Sequence, residues 1–350
     1  MVSVSSVDIE RRLDNLVAAN LNSVFPTITL SVIYRGKSLI HRAWGWIDPD
    51  TESRPVTIEI LFDLASVTKL FTVTAFLSLV SEGQVGLDDA LVTIIPEFGE
   101  VNPRSIDGGQ EPHTKIALPI PEEVRGKTVD PTRVTFRHLL THTSGLAPWR
   151  DVFRAAGPAP FPPDQSEPVT RRERWAKALK ALCAYPFVGE PGSAVRYSDL
   201  GLMLLGEAVS RLHSGESGKL DAAIYRRVTE PLVLPSVIFN PVQTGIDRDA
   251  IAPTEDDPEW RGRRCRGEVH DENACGVGGV AGHAGLFGKV GDIAAFGQAW
   301  LSGDVRLPID DELRAEAVRE QAETDGHRRG LGWLLKAHED SPAGDRFSTA

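Results

Sequence analysis

The chain has 350 residues, of which 41% are hydrophobic and 25% are charged, a composition typical of a globular protein with a large core. Its 49 acidic residues outnumber its 38 basic residues, and the formal net charge is −11 at pH 7. This acidic balance argues against nucleic acid and anionic membranes as partners. No apolar stretch approaches the roughly 20 residues that a membrane-spanning helix needs, so we expect no membrane insertion.

The N-terminal sequence and the cysteines both indicate a cytoplasmic protein. Residues 1–16, MVSVSSVDIERRLDNL, contain neither the basic segment nor the apolar segment of a signal peptide. Cys183, Cys265 and Cys275 form no C-x-x-C pair. A disulfide framework is therefore not expected, which fits a reducing compartment.

Strands are predicted near the two ends of the chain, with a helical block between them. Residues 27–34 are rich in β-branched side chains, and a turn at residues 35–37 separates them from a second strand at residues 38–47, so the pattern predicts a β-hairpin. A further strand is predicted at residues 331–335, and residues 99–132 are expected to form a long surface excursion. Helices are predicted at residues 8–21, 136–141, 171–184, 200–212, 219–229, 292–301 and 310–324, besides one that starts close to Ser66.

The most informative segment is the tetrad SVTK at residues 66–69, together with the apolar run LFTVTAFLSLV at residues 70–80. Apolar residues occur all round this predicted helix instead of along one stripe, which indicates a buried helix. Gly83 is well placed to end it. Ser66 and Lys69 would then lie one turn apart on the same face.

A serine with a lysine one turn away is a candidate nucleophile with its base. The hydroxyl of Ser66 becomes a good nucleophile only when a base removes its proton. Lysine serves as that base in its neutral form, which burial of Lys69 would favour. The start of the helix adds positive potential and free N–H groups that stabilise an oxyanion near Ser66. The tetrad alone is a common coincidence, and an N-cap role for Ser66 is the alternative.

Residues 62–89, FDLASVTKLFTVTAFLSLVSEGQVGLDD, resemble the nucleophile region of the β-lactamase and penicillin-binding-protein superfamily of serine hydrolases. The likeness is closer to the branch that holds class C β-lactamases, D-alanyl-D-alanine carboxypeptidases and family VIII esterases. Three more segments agree in the same order: RHLLTHTSGL at 137–146, GSAVRYSDLGLMLLGEAVSRL at 192–212 and GEVHDENACGVGGVAGHAGLFG at 267–288. Four ordered segments make the resemblance far more specific than the tetrad.

The resemblance implies a role for each matching residue. Ser66 would form the acyl-enzyme, and Lys69 would help to remove its proton. Tyr197, which matches the first residue of the family's Tyr-x-Asn motif, would carry protons to and from the leaving group. A phenol titrates near 10, so this role needs a nearby cation, and Lys69 is the candidate. The alternative for Tyr197 is an exposed aromatic residue before a helix.

Asp199 is a departure from the family pattern at a position expected to contact substrate. The family has asparagine there, and an ionised carboxylate accepts hydrogen bonds without donating them. Two roles are open for Asp199: an ion pair with Lys69, which would favour the charged amine and oppose its role as a base, or a cap on the following helix. The substitution weakens the case for β-lactam and peptide hydrolysis more than that for ester hydrolysis.

The family's third motif, Lys/His-Thr-Gly, is not found in the chain. Residues 283–285, His-Ala-Gly, match it loosely, but they lie in the glycine-rich stretch that precedes the motif's strand in the family. That strand is expected after residues 346–350, so the resemblance predicts a chain truncated at its C-terminus that lacks its final strands.

The resemblance implies a β-lactamase/transpeptidase-like α/β (α+β) fold, with an antiparallel sheet from both chain ends flanked by helices. Residues 1–350 would form one catalytic domain, with a helical subregion at about residues 88–265. We expect a serine hydrolase that acts on small esters, or next on β-lactams or D-alanyl peptides. The alternative is a non-catalytic homologue that kept the fold as a binding or scaffold module. The substrate and the oligomeric state cannot be read from the sequence.

No cofactor and no metal are expected from the remaining motifs. His138 and His142 are four residues apart, but no third ligand is obvious, and structural histidines beside the active-site wall are the simpler interpretation. His270 and Asp271 are expected to form a loop-fixing hydrogen-bond pair. Residues 276–281, Gly-x-Gly-x-x-Ala, match a dinucleotide fingerprint in letters, but no strand precedes them, so a glycine-dependent loop is expected instead.

Overall fold

Helices and antiparallel strands are mixed in the computed structural model, which describes residues 6–48, 50–339 and 341. The helices are α1 (Ser6–Asn20), α2 (Thr68–Ser81), α3 (Phe136–Leu140), α4 (Val152–Ala156), α5 (Arg171–Leu182), α6 (Asp199–Ser214), α7 (Leu220–Ile224), α8 (Glu230–Leu232), α9 (Glu272–Gly276), α10 (Val290–Ser302) and α11 (Asp311–Ala317). The strands are β1 (Thr27–Tyr34), β2 (Lys37–Gly45), β3 (Phe62–Asp63), β4 (Arg104–Ser105), β5 (Thr128–Val129), β6 (Ile238–Phe239), β7 (Asp256–Asp257), β8 (Arg263–Arg264), β9 (Leu286–Gly288), β10 (Ala322–Thr324) and β11 (His327–Arg329).

The predicted N-terminal hairpin is confirmed. Strands β1 and β2 pair antiparallel through a two-residue turn whose central residues, Arg35 and Gly36, have φ of 50° and 74°. Two positive φ values are the signature of a turn that matches the twist of the flanking strands. Within the described residues β1 and β2 form a sheet only with each other, and the C-terminal third of the chain meets this hairpin through α10.

Helix α2 forms the centre of the core, as its all-round apolar sequence predicts. Its residues from Phe71 to Leu79 are buried. The ring of Phe71 stacks on Phe296 of α10 with centroids 4.1 Å apart, and Phe76 contacts Phe136 of α3 at 4.8 Å. Gly83, with φ of 71°, ends the helix by donating its N–H to the carbonyl of Val80, so the predicted C-terminal glycine is confirmed.

Two further elements bring other parts of the chain to the start of α2. Helix α6 packs along α2 and is itself surrounded by α3, α5 and α7. A small antiparallel sheet with the order β3–β9–β6 lies beside the point where the chain enters α2. In it Asp63 is the register partner of Phe287. The segment before Ser66 is therefore fixed by residues more than 200 positions later in the chain.

The C-terminal region differs from the sequence prediction. The predicted helix at 310–324 ends at Ala317. Part of the remaining segment forms a hairpin of β10 and β11 instead, closed by an Asp325-Gly326 turn with φ of 51° and 79°. The predicted strand at 331–335 does not form. Its backbone groups bond in different directions: the N–H of Leu331 donates to Ala317, and that of Gly332 donates to Leu140.

Two further observations concern the length of the helices and the state of the cysteines. Within them, no helix combines the length and the apolar character needed to cross a membrane. Cys183, Cys265 and Cys275 are all buried and free, in agreement with the expected lack of a disulfide framework.

Gly332 should be intolerant of a side chain. Its φ is +79°, and a Cβ there would lie 2.5 Å from a methyl carbon of Val73 in α2. We expect Gly332→Ala to lower the free energy of unfolding by about 2–4 kcal/mol, from overpacking added to backbone strain. Gly326 is the matched control, because it has the same φ and a Cβ there would meet no atom within 4 Å. Equal losses for the two variants in urea denaturation would contradict the packing argument.

Candidate active site

Ser66 lies in a short turn between β3 and α2. A 3-10 turn spans Ala65–Val67, and α2 begins at Thr68. The side chain of Ser66 is exposed, which leaves its hydroxyl open to a substrate. Ala65 has φ of +44°, an unfavourable value for a residue with a Cβ. Ser66 is thus presented by a strained turn at the start of a buried helix.

Asp63 holds this strained turn in place. One of its carboxylate oxygens accepts the N–H of Ala65 at 2.8 Å, and the other accepts the N–H of His270 at 2.7 Å. Burial raises the pKa of Asp63, against the effect of these two backbone donors. The carboxylate therefore links the Ser66 turn to the loop before α9.

The predicted proximity of Ser66 and Lys69 is present in the structure. The Nζ atom of Lys69 donates to Oγ of Ser66 at 2.8 Å, and the Lys69 side chain is only 6% exposed. The same nitrogen donates to the backbone carbonyl of His283 at 3.1 Å. It also lies 2.8 Å from Oδ1 of Asp199. An ammonium group has three N–H donors, and this environment supplies three oxygen atoms.

Of the two roles left open for Asp199, the structure shows the ion pair with Lys69 and not the helix cap. Asp199 begins α6, but the cap of that helix is Ser198, whose Oγ accepts the N–H of Gly201 at 3.2 Å. The Oδ1 atom of Asp199 contacts Lys69 as an ion pair that lacks the alignment of a hydrogen bond.

Tyr197 lies beside Lys69 at the rim of the site. Its side chain is 38% exposed, and Nζ of Lys69 is 4.7 Å from the centre of its ring. The guanidinium carbon of Arg329 is 5.4 Å from the same ring centre. Burial lowers the pKa of Arg329, and Tyr197 acts in the opposite direction. The four residues predicted from the sequence therefore lie together in the structure. Ser66, Tyr197 and Asp199 all lie close to the amine of Lys69.

A pair that the sequence analysis did not foresee supports the His283 carbonyl. The buried ring of His283 donates from Nε2 to Asp271 at 2.8 Å, so Asp271 pairs with His283, whereas the expected partner His270 contacts Glu255. Burial raises the pKa of Asp271, but the charge and hydrogen bond of His283 and the N–H of Ala274 bring it below the ordinary value.

The path of this loop depends on direct backbone contact with α6. A Cβ at Gly282 would lie 2.0 Å from the carbonyl oxygen of Leu202, so only glycine fits there. Gly278, Gly279 and Gly285 all have positive φ, which confirms the predicted glycine-dependent loop. The loop brings His283 to Lys69, although residues 283–285 precede β9 and do not form a strand.

Three residues missed as members of the site are Asp63, Asp271 and Arg329. Asp63 and Arg329 contact residues far away in the sequence, and Asp271 pairs with His283 twelve residues later, so no short spacing signals these contacts. His138 completes a capping box with Thr135 at the start of α3, as a structural histidine. Among the described residues, a separate group with the spacing of metal ligands is exposed and consists of Glu320, Glu323 and His338.

Solved structures with similar folds cover nearly the whole chain. The octameric penicillin-binding protein homologue from Pyrococcus abyssi has a TM-score of 0.64 at 23% identity, over 95% of this chain and 65% of that chain. EstCE1, a hydrolase with promiscuous acyltransferase activity, has a TM-score of 0.69 at 20% identity, over 99% of this chain and 88% of that chain. The predicted β-lactamase/transpeptidase-like fold is confirmed, and the chain spans about two thirds of the length of the Pyrococcus protein.

Sequence comparison identifies the family. A Salmonella agona protein named "Putative D-alanyl-D-alanine carboxypeptidase" is 29% identical over 355 residues, covering 93% of this chain and 72% of the relative. The Salmonella typhimurium protein of the same name is 28% identical with the same coverage. The family profile described as Beta-lactamase matches residues 10–347. The chain therefore belongs to the beta-lactamase family.

Proposed function

We propose that the chain is a serine hydrolase that works through an acyl-enzyme on Ser66. The observation that carries the proposal is the 2.8 Å contact between Oγ of Ser66 and the buried amine of Lys69. This distance lies within the range needed for direct proton transfer between a nucleophile and its base. The exposed hydroxyl leaves room for a substrate carbonyl on the opposite side of Ser66.

The proposed reaction has two stages. In the first, the neutral amine of Lys69 takes the hydroxyl proton while Oγ of Ser66 bonds to the carbonyl carbon. The bond to the leaving alcohol then breaks, and Tyr197 supplies the proton that the alcohol oxygen takes up. In the second stage, water loses a proton to the phenolate of Tyr197 and attacks the acyl carbon. The bond between that carbon and Oγ of Ser66 then breaks, and Oγ takes back its proton from the ammonium of Lys69.

The ion pair with Asp199 restrains the first stage. Lys69 acts as a base only after a proton has left its amine, and the carboxylate 2.8 Å away favours the charged form. The proposed enzyme is therefore slower than one with an uncharged residue at position 199.

We propose small esters as the preferred substrates, with β-lactams and D-alanyl peptides next. Asp199 supports this order, because an ionised carboxylate cannot donate to the carbonyl oxygen of a substrate amide. Esters also have better leaving groups than amides, so they demand less from the base. The Salmonella relatives carry the carboxypeptidase name and EstCE1 the hydrolase name, so both substrate classes belong in the test.

The alternative is a non-catalytic binding or scaffold homologue. The Asp199–Lys69 contact favours it, because a lysine held as an ammonium ion leaves Ser66 without a base. This alternative predicts that no activated ester acylates the protein, although a ligand still binds at the same site.

Labelling with a fluorophosphonate and with a fluorescent penicillin tests the acyl-enzyme. We expect label on the wild type and none on Ser66→Ala. With p-nitrophenyl acetate, we expect Lys69→Met to slow the acylation burst by about 10²–10⁴-fold, the usual contribution of a general base. Ser217→Ala is the matched control for Ser66→Ala. Ser217 is an exposed serine on the loop after α6, and α6 is about 24 Å long and begins at Asp199. Equal labelling of wild type and Ser66→Ala would refute the proposal.

Replacement of Asp199 by asparagine tests the restraint. Asp199→Asn removes the negative charge beside Lys69 and restores a hydrogen-bond donor, so we expect acylation by p-nitrophenyl acetate at neutral pH to become about tenfold faster. Asp221→Asn makes the same change in net charge at a carboxylate that pairs with Arg171, and we expect no change in rate. Slower acylation by Asp199→Asn would show that the carboxylate assists the reaction instead of restraining it.

A further inference from the structure

His142 contacts the candidate proton carrier Tyr197 from the buried side. It follows α3, is only 2% exposed and has φ of +58°. The rings of His142 and Tyr197 have their centres 4.7 Å apart and are tilted by 41°. The Tyr197 ring is therefore close to the imidazole of His142 and to the cations of Lys69 and Arg329.

Hydrogen bonds from His142 fix the backbone on both sides of Tyr197. The carbonyl of His142 accepts the N–H of Arg196 at 2.7 Å. Its Nδ1 atom accepts the N–H of Ser198 at 3.1 Å. Because Nδ1 is an acceptor, the neutral ring carries its proton on Nε2. One buried residue thus holds the residues before and after Tyr197.

We propose that His142 is a positioning residue that, as a neutral imidazole, holds Tyr197 in place for proton transfer. The inference rests on the proposed acyl-enzyme function. A small displacement of a group that transfers protons costs far more in rate than in binding. Loss of the acceptor would leave the buried N–H of Ser198 without a partner, and the segment at residues 196–198 would move to reach another one.

Burial, together with nearby positive charges, favours the neutral form of the His142 ring. Burial is the largest effect that lowers the pKa of His142, and the positive charges of Arg329 from β11 and Lys69 from α2 add to it. A second ring proton would turn Nδ1 into a donor that faces the N–H of Ser198. Protonation of His142 would therefore release the bond that fixes Tyr197.

A shape-matched pair of variants separates the acceptor from the bulk of the side chain. The Oδ1 atom of asparagine occupies the position of Nδ1 of histidine, and asparagine tolerates positive φ. Leucine has the shape of asparagine and no acceptor. We expect His142→Leu to lower kcat for p-nitrophenyl acetate about 100-fold with little change in KM, whereas His142→Asn stays within about tenfold of wild type.

His142→Gly guards against misfolding of the leucine variant. Glycine removes the acceptor without a Cβ penalty at φ of +58°, and circular dichroism identifies the variants that fold. Loss of kcat in the folded acceptor-free variants, with activity kept in His142→Asn, supports the inference. Wild-type rates in those variants, or an equal loss in His142→Asn, overturn it. If the wild type itself takes no label on Ser66, the proposed function fails, and this inference fails with it.

The dependence of stability on pH gives a readout that needs no substrate. The pKa of His142 lies well below its unfolded value near 6.5, so the unfolded chain binds a proton that the folded chain excludes. As the pH falls from 7 to 5, the wild type should lose more of its free energy of unfolding than His142→Asn does. Parallel pH profiles for the two proteins would show that the ring is not held neutral and would overturn the inference.

Discussion

The arrangement of the site depends on the contacts that the amine of Lys69 makes. A buried cation is costly unless neighbouring groups compensate for the lost hydration. The compensation here comes from three separate segments: the turn that holds Ser66, the start of α6 and the glycine-rich loop that carries His283. None of these segments can move away without leaving a charge or an N–H unpaired. The need to satisfy one nitrogen therefore fixes the relative positions of elements distant in sequence.

The same nitrogen gives the site opposing properties. In the proposed mechanism the contact with Ser66 suits proton transfer, while the negative charge of Asp199 lies equally close to the same nitrogen. The neighbouring His142 ring adds bulk around Tyr197, and the guanidinium of Arg329 adds positive charge. At position 199 this member of the beta-lactamase family has a carboxylate where the Tyr-x-Asn pattern has an amide, and this carboxylate lies next to the proposed base.

Local patterns predicted the parts of the structure that depend on local physics. The β1–β2 hairpin follows from β-branched residues and a turn, and burial of α2 follows from apolar residues on all its sides. Spacing along a helix was enough to bring Ser66 and Lys69 together. The site contacts of Asp63 and Arg329 were not foreseen, because their partners are far away in the chain, and Asp271 was expected to pair with His270 instead of His283. The strand expected at 331–335 failed for a related reason: its N–H groups bond to the ends of α11 and α3, which no periodicity reveals.

In the loop at residues 282–285, the oxygen that accepts from Lys69 is the main-chain carbonyl of His283. Any amino acid at position 283 carries the same carbonyl, so the chemical identity of that residue is not what the amine recognises. The contact with the amine depends instead on the path of the backbone. That path is set by the close approach of Gly282 to the carbonyl of Leu202. Members of the family with other side chains at 283 can therefore keep the contact, while a bulkier neighbour at 282 would abolish it without altering any group that touches the substrate.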